Sequence, residues 1–376
     1  MAIQATPSRL GQVNLANDAD ALFLKVFSGE IISVFEEANL MLPLTKVRTI
    51  SSGKSATFAV TGVASAGYHT PGESVLTTGA TTGYGSTTVS NSTAGNMTVA
   101  FDGGSAKYLS RLKHNEKVIY IDDVLLSAAF VSDIDELKNH YDVRSTYSKE
   151  IGRALAYAAD KNLIRTVIAG ARRSADRFGG TSAAFLGSQL DISVASTATS
   201  AELIAGLFTA AQKMDEKNVP AEGRVAIFNP ANYYRLVQVD GTAVGISINK
   251  DYGGMGSLAS GTVVEVAGIK ILKSNHIPSL DESSSEDALA GAAGVKNNVI
   301  AAANTGTAGY SGLNYSTTIG IAFHSDAVGT VKLMDLSVET EYQMDRLGTL
   351  MLAKYAMGHN VLREEACIEF TAVANA

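Results

Sequence analysis

Tryptophan is absent from this 376-residue sequence, cysteine occurs once and proline six times. The lone Cys367 cannot close an intrachain disulfide, which suits a reducing compartment, and without a cysteine cluster there is no structural zinc set. Charge is scarce as well, at 18% of residues against roughly 25% in an average chain. Such a deficit accompanies surface buried against other subunits, and it also follows from abundant Gly, Ala, Ser and Thr. The charge that is present leans acidic, net −7, which gives no overall attraction to phosphate. No apolar run approaches the roughly 18 residues of a membrane span. The first 20 residues lack the basic and apolar regions of a signal peptide, so none is expected. The sequons at Asn91, Asn96 and Asn314 then read as chance matches in Ser/Thr-rich text.

Hydrophobic residues make up 46% of the chain, enough for a sizeable core in two compact domains or in one domain with long extensions. Residues 1–20 are small and polar and read as an arm. In the following segment Leu22, Val26, Ile31, Val34, Phe35 and Ala38 approximate a helical stripe. It is suited either to docking on a partner or to packing on its own core. Alternating runs at Lys54-Ser-Ala-Thr-Phe-Ala-Val and Lys117-Val-Ile-Tyr-Ile-Asp flank a stretch, 77–105, made almost wholly of Thr, Gly, Ser, Asn and Ala. That text supplies no core, and it is too long for an ordinary hairpin loop. A long two-stranded excursion accounts for it, and an isolated hairpin of this kind needs a neighbour to lie on.

Residues 133–169 carry the strongest helical period, in Ile134, Leu137, Tyr141, Ile151, Leu155, Ala158, Leu163 and Val167. Ser132 or Asp133 is the expected cap and Gly170 the expected end. A continuous helix of that span would be about 55 Å long. Residues 186–280 read as α/β. The elements are a helix over Ser200–Lys217 (Leu203, Ile204, Leu207, Phe208 and Ala211 on one side), a buried strand at Arg224–Phe228, and a helix opened by Asn229-Pro230 and running to Val239. Two strand pieces divided by Gly268 follow. Residues 281–312 form a second polar insertion with an acidic knot of Asp281, Glu282, Glu286 and Asp287. Beyond Ile319, strands surround an expected helix near Met344–Tyr355.

A catalytic kit is missing. His69, His114, His140, His276, His324 and His359 are scattered without metal-ligand spacing. His324-Ser325-Asp326 contains the residue types of a triad, but adjacency is not triad geometry, and a turn is expected. The Asp251–Ser257 loop (Asp-Tyr-Gly-Gly-Met-Gly-Ser) lacks the full dinucleotide and phosphate-loop patterns and precedes a strand, so a mobile loop is expected. Arg172, Arg173 and Arg177 are expected to be solvated or to bridge subunits, and Glu364-Glu365 likewise. No catalytic, cofactor or metal residue is therefore assigned.

Leu22-Phe-Leu-Lys-Val-Phe-Ser-Gly-Glu, Ile50-Ser-Ser-Gly-Lys-Ser-Ala, Asn139-His-Tyr-Asp-Val-Arg-Ser, Ala327-Val-Gly-Thr-Val-Lys-Leu, Ala353-Lys-Tyr-Ala-Met-Gly-His and Leu362-Arg-Glu-Glu-Ala closely resemble the major capsid proteins of short-tailed phages of the T-seven group. These blocks run in order from residue 21 to residue 366. The resemblance implies an α+β chain with the Hong Kong 97-type (HK-97-like) capsid fold. Its parts would be an N-terminal arm (1–50), an extended E-loop hairpin carrying the Thr/Gly/Ser-rich insertion (51–118), a peripheral domain with a long spine helix (119–185), an axial domain (186–318), and returning peripheral strands (319–376). The 77–105 stretch departs from the family, and the 281–312 insertion reads as lineage-variable.

The resemblance further implies a homo-oligomer of pentamers and hexamers forming an icosahedral head around double-stranded DNA, without sequence-specific binding. A scaffolding protein during assembly and a portal protein at one vertex are the implied partners, with no membrane and no cofactor. The implied locations are the virion and, during assembly, the host bacterial cytoplasm. Covalent cross-linking of subunits is not carried over, because no motif supports a reactive Lys–Asn pair. Two other classes stay open: an encapsulin-like cellular compartment shell, and an unrelated soluble α/β enzyme.

Overall fold

A computed structural model describes residues 39–62, 68–69, 71, 88–91, 95–98, 114–121, 124–134, 143–174, 178, 183–192, 199–237, 265–281 and 313–372. The amphipathic segment 21–38, most of both insertions, the Asp251–Ser257 loop, His140 and Arg177 lie outside these residues. The chain divides into two units, one of residues 58–117 and one formed by the remainder.

Strands β1 (Lys46–Thr49), β2 (Ser55–Thr61), β3 (Thr88–Asn91), β4 (Gly95–Thr98), β5 (His114–Tyr120) and β6 (Leu125–Ser132) come first. β2 pairs with β5. β3 and β4, inside the Thr/Gly/Ser-rich stretch, form an antiparallel ladder from Thr88↔Thr98 to Asn91↔Gly95. Within that text, residues 88–91 and 95–98 are thus held together by backbone pairing.

The larger unit is built around helix α1 (Val143–Ala171). Its 29 residues span about 44 Å. Asp133 and Ile134, at the expected start, are helical directly after β6, and residues 135–142 between them and α1 are not described. Gly170 is not the C-cap either. It lies within the helix, where an added Cβ would sit 2.9 Å from Cys367 Sγ and 2.9 Å from a Val361 methyl. Glycine there lets the helix press against the sheets.

α1 underlies two sheets. The first has the order β1-β12-β13-β6, with β12 Val328–Gln343 and β13 Gly348–Val361. The second has the order β7-β14-β11-β8-β10-β9, using β7 (Ser188–Asp191), β8 (Arg224–Phe228), β9 (Glu265–Val266), β10 (Ile269–Lys273), β11 (Thr318–His324) and β14 (Cys367–Thr371). The helix expected near Met344–Tyr355 is instead the tip and second strand of a long hairpin, paired on both sides by β12 and β6. The misreading has a physical source. Leu350-Met-Leu-Ala is apolar on both faces, so its period cannot separate a strand from a buried helix.

In the second sheet β8 is wholly buried, between antiparallel β11 and parallel β10. Helix α2 (Ser200–Glu216) opens with a capping box: Glu202 N–H donates to Thr199 Oγ1, and Thr199 N–H donates to Glu202 Oε2. It buries Leu203, Leu207, Ala210, Ala211 and Met214, whereas Phe208, expected on that side, is exposed. Helix α3 (Pro230–Val237) is capped by Asn229, whose Oδ1 accepts from Asn232 N–H. β9 and β10 turn through Ala267 and Gly268, at φ 54° and 75°, the left-handed pair that a two-residue hairpin requires.

Candidate functional site

The first sheet has two unlike faces. Toward α1, Leu125, Ala129, Val131, Met351, Ala353 and Tyr355 pack on Ile151, Leu155, Ala156 and Ala159. Alternation sends Leu126, Ala128 and Phe130 of β6 to the other face, where register places Lys354, Leu352 and Leu350 of β13 opposite them. The next row, on β12, is Ser337, Glu339 and Glu341. Leu126 is 57% exposed and Phe130 39% exposed, and Lys354 pairs with Glu339 at 2.7 Å. An apolar strip one side chain above the sheet is therefore bordered by carboxylates. Among the described residues β6 is also the last strand of this sheet, paired there with β13. Such a surface is equipped to receive an extended segment through both side chains and backbone. Sequence reading placed no functional residue here, and the Leu-Ser-Ala-Ala-Phe alternation was its only signal.

The second feature is a set of buried ion pairs where α1 ends. Arg172 donates from Nε to Glu369 Oε2 at 2.7 Å and from Nη2 to Oε1 at 2.6 Å, a bidentate pair. Its Nη1 donates to the Asn314 carbonyl at 2.7 Å. Glu369 also accepts from Thr318 Oγ1 at 2.7 Å and Gln189 Nε2 at 3.1 Å. Burial pulls the Arg172 pKa down, but the hydrogen bonds and charge of Glu369 outweigh it, and the net shift is upward. Arg173 donates to Glu364 Oε1 at 3.0 Å and to Asn360 Oδ1 at 3.2 Å, and Arg363 donates to Glu365 Oε1 at 2.9 Å.

These contacts correct the expectation that Arg172, Arg173, Glu364 and Glu365 are solvated or bridge subunits. All four are paired within the chain, and both glutamates are buried. The reason is that the segment after β13 turns inward to deliver β14 to an interior position of the second sheet. Glu369, unmarked in the sequence, is the centre of the cluster. Its signal was a single carboxylate inside the apolar run Cys367-Ile-Glu-Phe.

His324 Nδ1 accepts from Asp326 N–H at 3.1 Å, and its Nε2 lies 2.7 Å from the Glu222 carbonyl, so the proton sits on Nε2. His324-Ser325-Asp326 is the tight turn joining β11 to β12. Cys367 is buried, and burial, then the Glu364 and Glu365 charges, push its thiol up. Among the described residues, no group of three or more His, Cys, Asp or Glu is placed to hold a metal.

His359, in β13, faces Thr330 Oγ1 at 3.0 Å and is fully buried, which pushes its pKa from 6.5 down to about 3. The unfolded chain takes up the proton near pH 6.5 and the folded chain only near pH 3. Stability is therefore complete above pH 6.5 and lost as pH falls toward 3, by on the order of 4 to 5 kcal/mol. Urea titrations across this window should show a steeper acid loss for the native chain than for His359→Asn. Equal slopes would rule out His359 as the cause.

Residues 96–371 match the family model described as Gp10A-like: Major capsid protein. The major capsid protein of Escherichia phage T7 is 31% identical over 358 residues, covering 93% of this chain and 92% of that protein. The major capsid protein of Enterobacteria phage T3 is 29% identical over 363 residues, covering 95% and 93%. The capsid of the Cyanophage P-SCSP1u matches with a TM-score of 0.65 at 38% identity, over 99% of this chain and 100% of that one. The mature capsid of bacteriophage PhiM1 matches with a TM-score of 0.58 at 12% identity, over 100% and 93%, which bears on the fold alone.

Proposed function

Since the chain belongs to the Gp10A-like family of phage major capsid proteins, we propose that its subunits tile a shell by laying the 51–118 hairpin of each copy across the open sheet face of the next. The chain is a structural capsid protein of the virion with the Hong Kong 97-like fold, and its oligomer is the capsid shell. The encapsulin-like alternative is not favoured, because relatives about 30% identical over nearly the whole chain are phage capsid proteins.

The observation that carries the proposal is the exposed row Leu126, Ala128 and Phe130 beside the half-buried Leu350 and Leu352, on the last strand of this sheet among the described residues. A free two-stranded ribbon gains stability by lying on such a surface, which covers its backbone edge and one apolar face together. In this reading residues 1–50 act as an arm, 119–185 and 319–376 as the peripheral domain, and 186–318 as the axial domain that gathers into pentamers and hexamers. Many modest contacts suffice, because closed symmetry repeats each of them.

Assembly in the host cytoplasm around a scaffolding protein, with a portal at one vertex, would precede entry of double-stranded DNA. The net charge of −7 suits an inner wall that does not grip phosphate. No catalytic step belongs to this reading. The test is co-expression with the cognate scaffold, followed by electron microscopy. Closed shells are expected, and monomers alone at every concentration would overturn the reading.

A further inference from the structure

The first described residues are fastened to α1 by one buried carboxylate. Asp160, in the second half of that helix, is wholly buried. Its Oδ2 accepts from Leu40 N–H at 2.9 Å and its Oδ1 from Met41 N–H at 3.0 Å. His276 Nδ1, from the loop after β10, lies 2.9 Å from Oδ2, and the His276 ring meets Tyr157 of α1 edge-on at 4.9 Å between centroids. Asn39 Oδ1 accepts from Leu42 N–H, and Thr45 Oγ1 donates to the Leu42 carbonyl, closing the short turn Leu42–Leu44. Met41 is fully buried in the larger core, and Leu42 touches both cores. β1 then follows at once, parallel to β12. One carboxylate therefore ties together the root of the N-terminal segment, the long helix and the second sheet.

We infer that Asp160 is a positioning residue for assembly, which fixes the point at which the N-terminal segment leaves the body. The inference rests on the reading of residues 1–50 as an arm that reaches a neighbour. Burying an ionisable side chain is costly, and here the cost is offset by hydrogen bonds to two backbone N–H groups that an apolar residue would leave unpaired. What the carboxylate does supply is direction: two acceptor oxygens that fix two consecutive backbone N–H groups in one orientation. Without it, the Leu40 and Met41 N–H groups lose their acceptors, and the root is held by the burial of Met41, the Leu42–Leu44 turn and β1. Burial is non-directional, so the course of residues 39–41 is then no longer set by hydrogen bonds to α1. An arm rooted in that way lacks the fixed heading it needs to place its contacts on a neighbour in register.

The experiment uses the full chain as wild type, Asp160→Ala, the near-isosteric Asp160→Asn, and Leu163→Ala. The last removes a buried core side chain of the same helix and leaves the carboxylate in place. Limited trypsin digestion of free subunits reports the fastening, because Lys46 and Arg48 lie just beyond it. Cleavage there should rise at least tenfold in Asp160→Ala, rise less in Asp160→Asn, and stay near wild type in Leu163→Ala under conditions where all remain folded. Co-expression with scaffold and electron microscopy report the consequence. Asp160→Ala should give open or mis-sized shells, while Leu163→Ala, studied at a temperature that equalises the folded fraction, should give closed ones.

Unchanged cleavage at Lys46 and Arg48 in Asp160→Ala overturns the inference, as does the same shell defect in both alanine variants. If the wild type itself makes no shells, the shell reading fails. The inference then fails with it as a statement about assembly, and the digestion ratio still reports whether Asp160 holds the segment.

Discussion

Leu126→Glu combined with Ala128→Glu is expected to leave a folded subunit that forms no shells. Both side chains are exposed on β6, so folding loses little, and surface substitutions of this kind usually shift stability by no more than about 0.5 kcal/mol. Register even supplies a partner for one of them, since Lys354 stands directly across from Leu126. Between subunits the balance reverses. The new carboxylates extend the acidic row of Glu339 and Glu341 into the apolar strip, and covering the strip would bury charge without a counter-ion. Each disrupted anchor in such a patch typically costs roughly 2 kcal/mol or more, and about 1.4 kcal/mol is a factor of ten in association. Two lesions at every repeated contact therefore remove assembly at ordinary concentrations. Equal urea midpoints with an empty particle fraction in sedimentation are the expected pair of observations. Wild-type particle yield would exclude this face as the assembly surface.

Glu369→Ala is expected to produce the largest loss of subunit stability, about 3–5 kcal/mol, because it strands the guanidinium of Arg172. That side chain keeps only 15% of its exposure, while Glu369 keeps none. The same truncation removes the acceptor used by Thr318 and Gln189. Against a total of roughly 5–15 kcal/mol for a folded domain, the loss brings the subunit close to unfolding at moderate temperature. The exposed pair Glu150–Arg153 on α1 supplies the contrast, since its removal should cost less than about 1 kcal/mol. A double-mutant cycle with Arg172→Met and Glu369→Leu separates the attraction of the pair from the penalty of leaving one charge alone. A Glu369→Ala loss as small as that at Glu150 would mean that water reaches Arg172 freely.

Much of the fold was legible in the residues. The buried strand Arg224–Phe228, the Asn229-Pro230 helix start, the Gly268 division of two strand pieces and the turn at His324–Asp326 all depend on local chemistry: side-chain caps, restricted backbone angles and short apolar runs. The errors share one cause. The helix expected over Leu350–Ala353, and the solvated or subunit-bridging role expected of Glu364 and Glu365, fail because both depend on distant partners, respectively β12 with β6 and Arg173 with the interior course of β14. The candidate surface was the least legible part. An exposed Leu or Phe on a strand is ordinary text, and it gains meaning only when register sets Leu126, Ala128 and Phe130 beside Leu350 and Leu352.

The position of β14 also sets a clock. It lies between β7 and β11 and brings Glu369 to Arg172, yet it follows every other described strand in the chain. About 200 residues separate Arg172 from its partner. At synthesis rates of roughly 5–20 residues per second, the guanidinium waits on the order of 10–40 s for its counter-charge. β11 is itself made only late in that interval, and until β14 follows, β7 and β11 have no strand between them and the end of α1 has no settled seat. A nascent chain therefore cannot present a finished tile to finished neighbours.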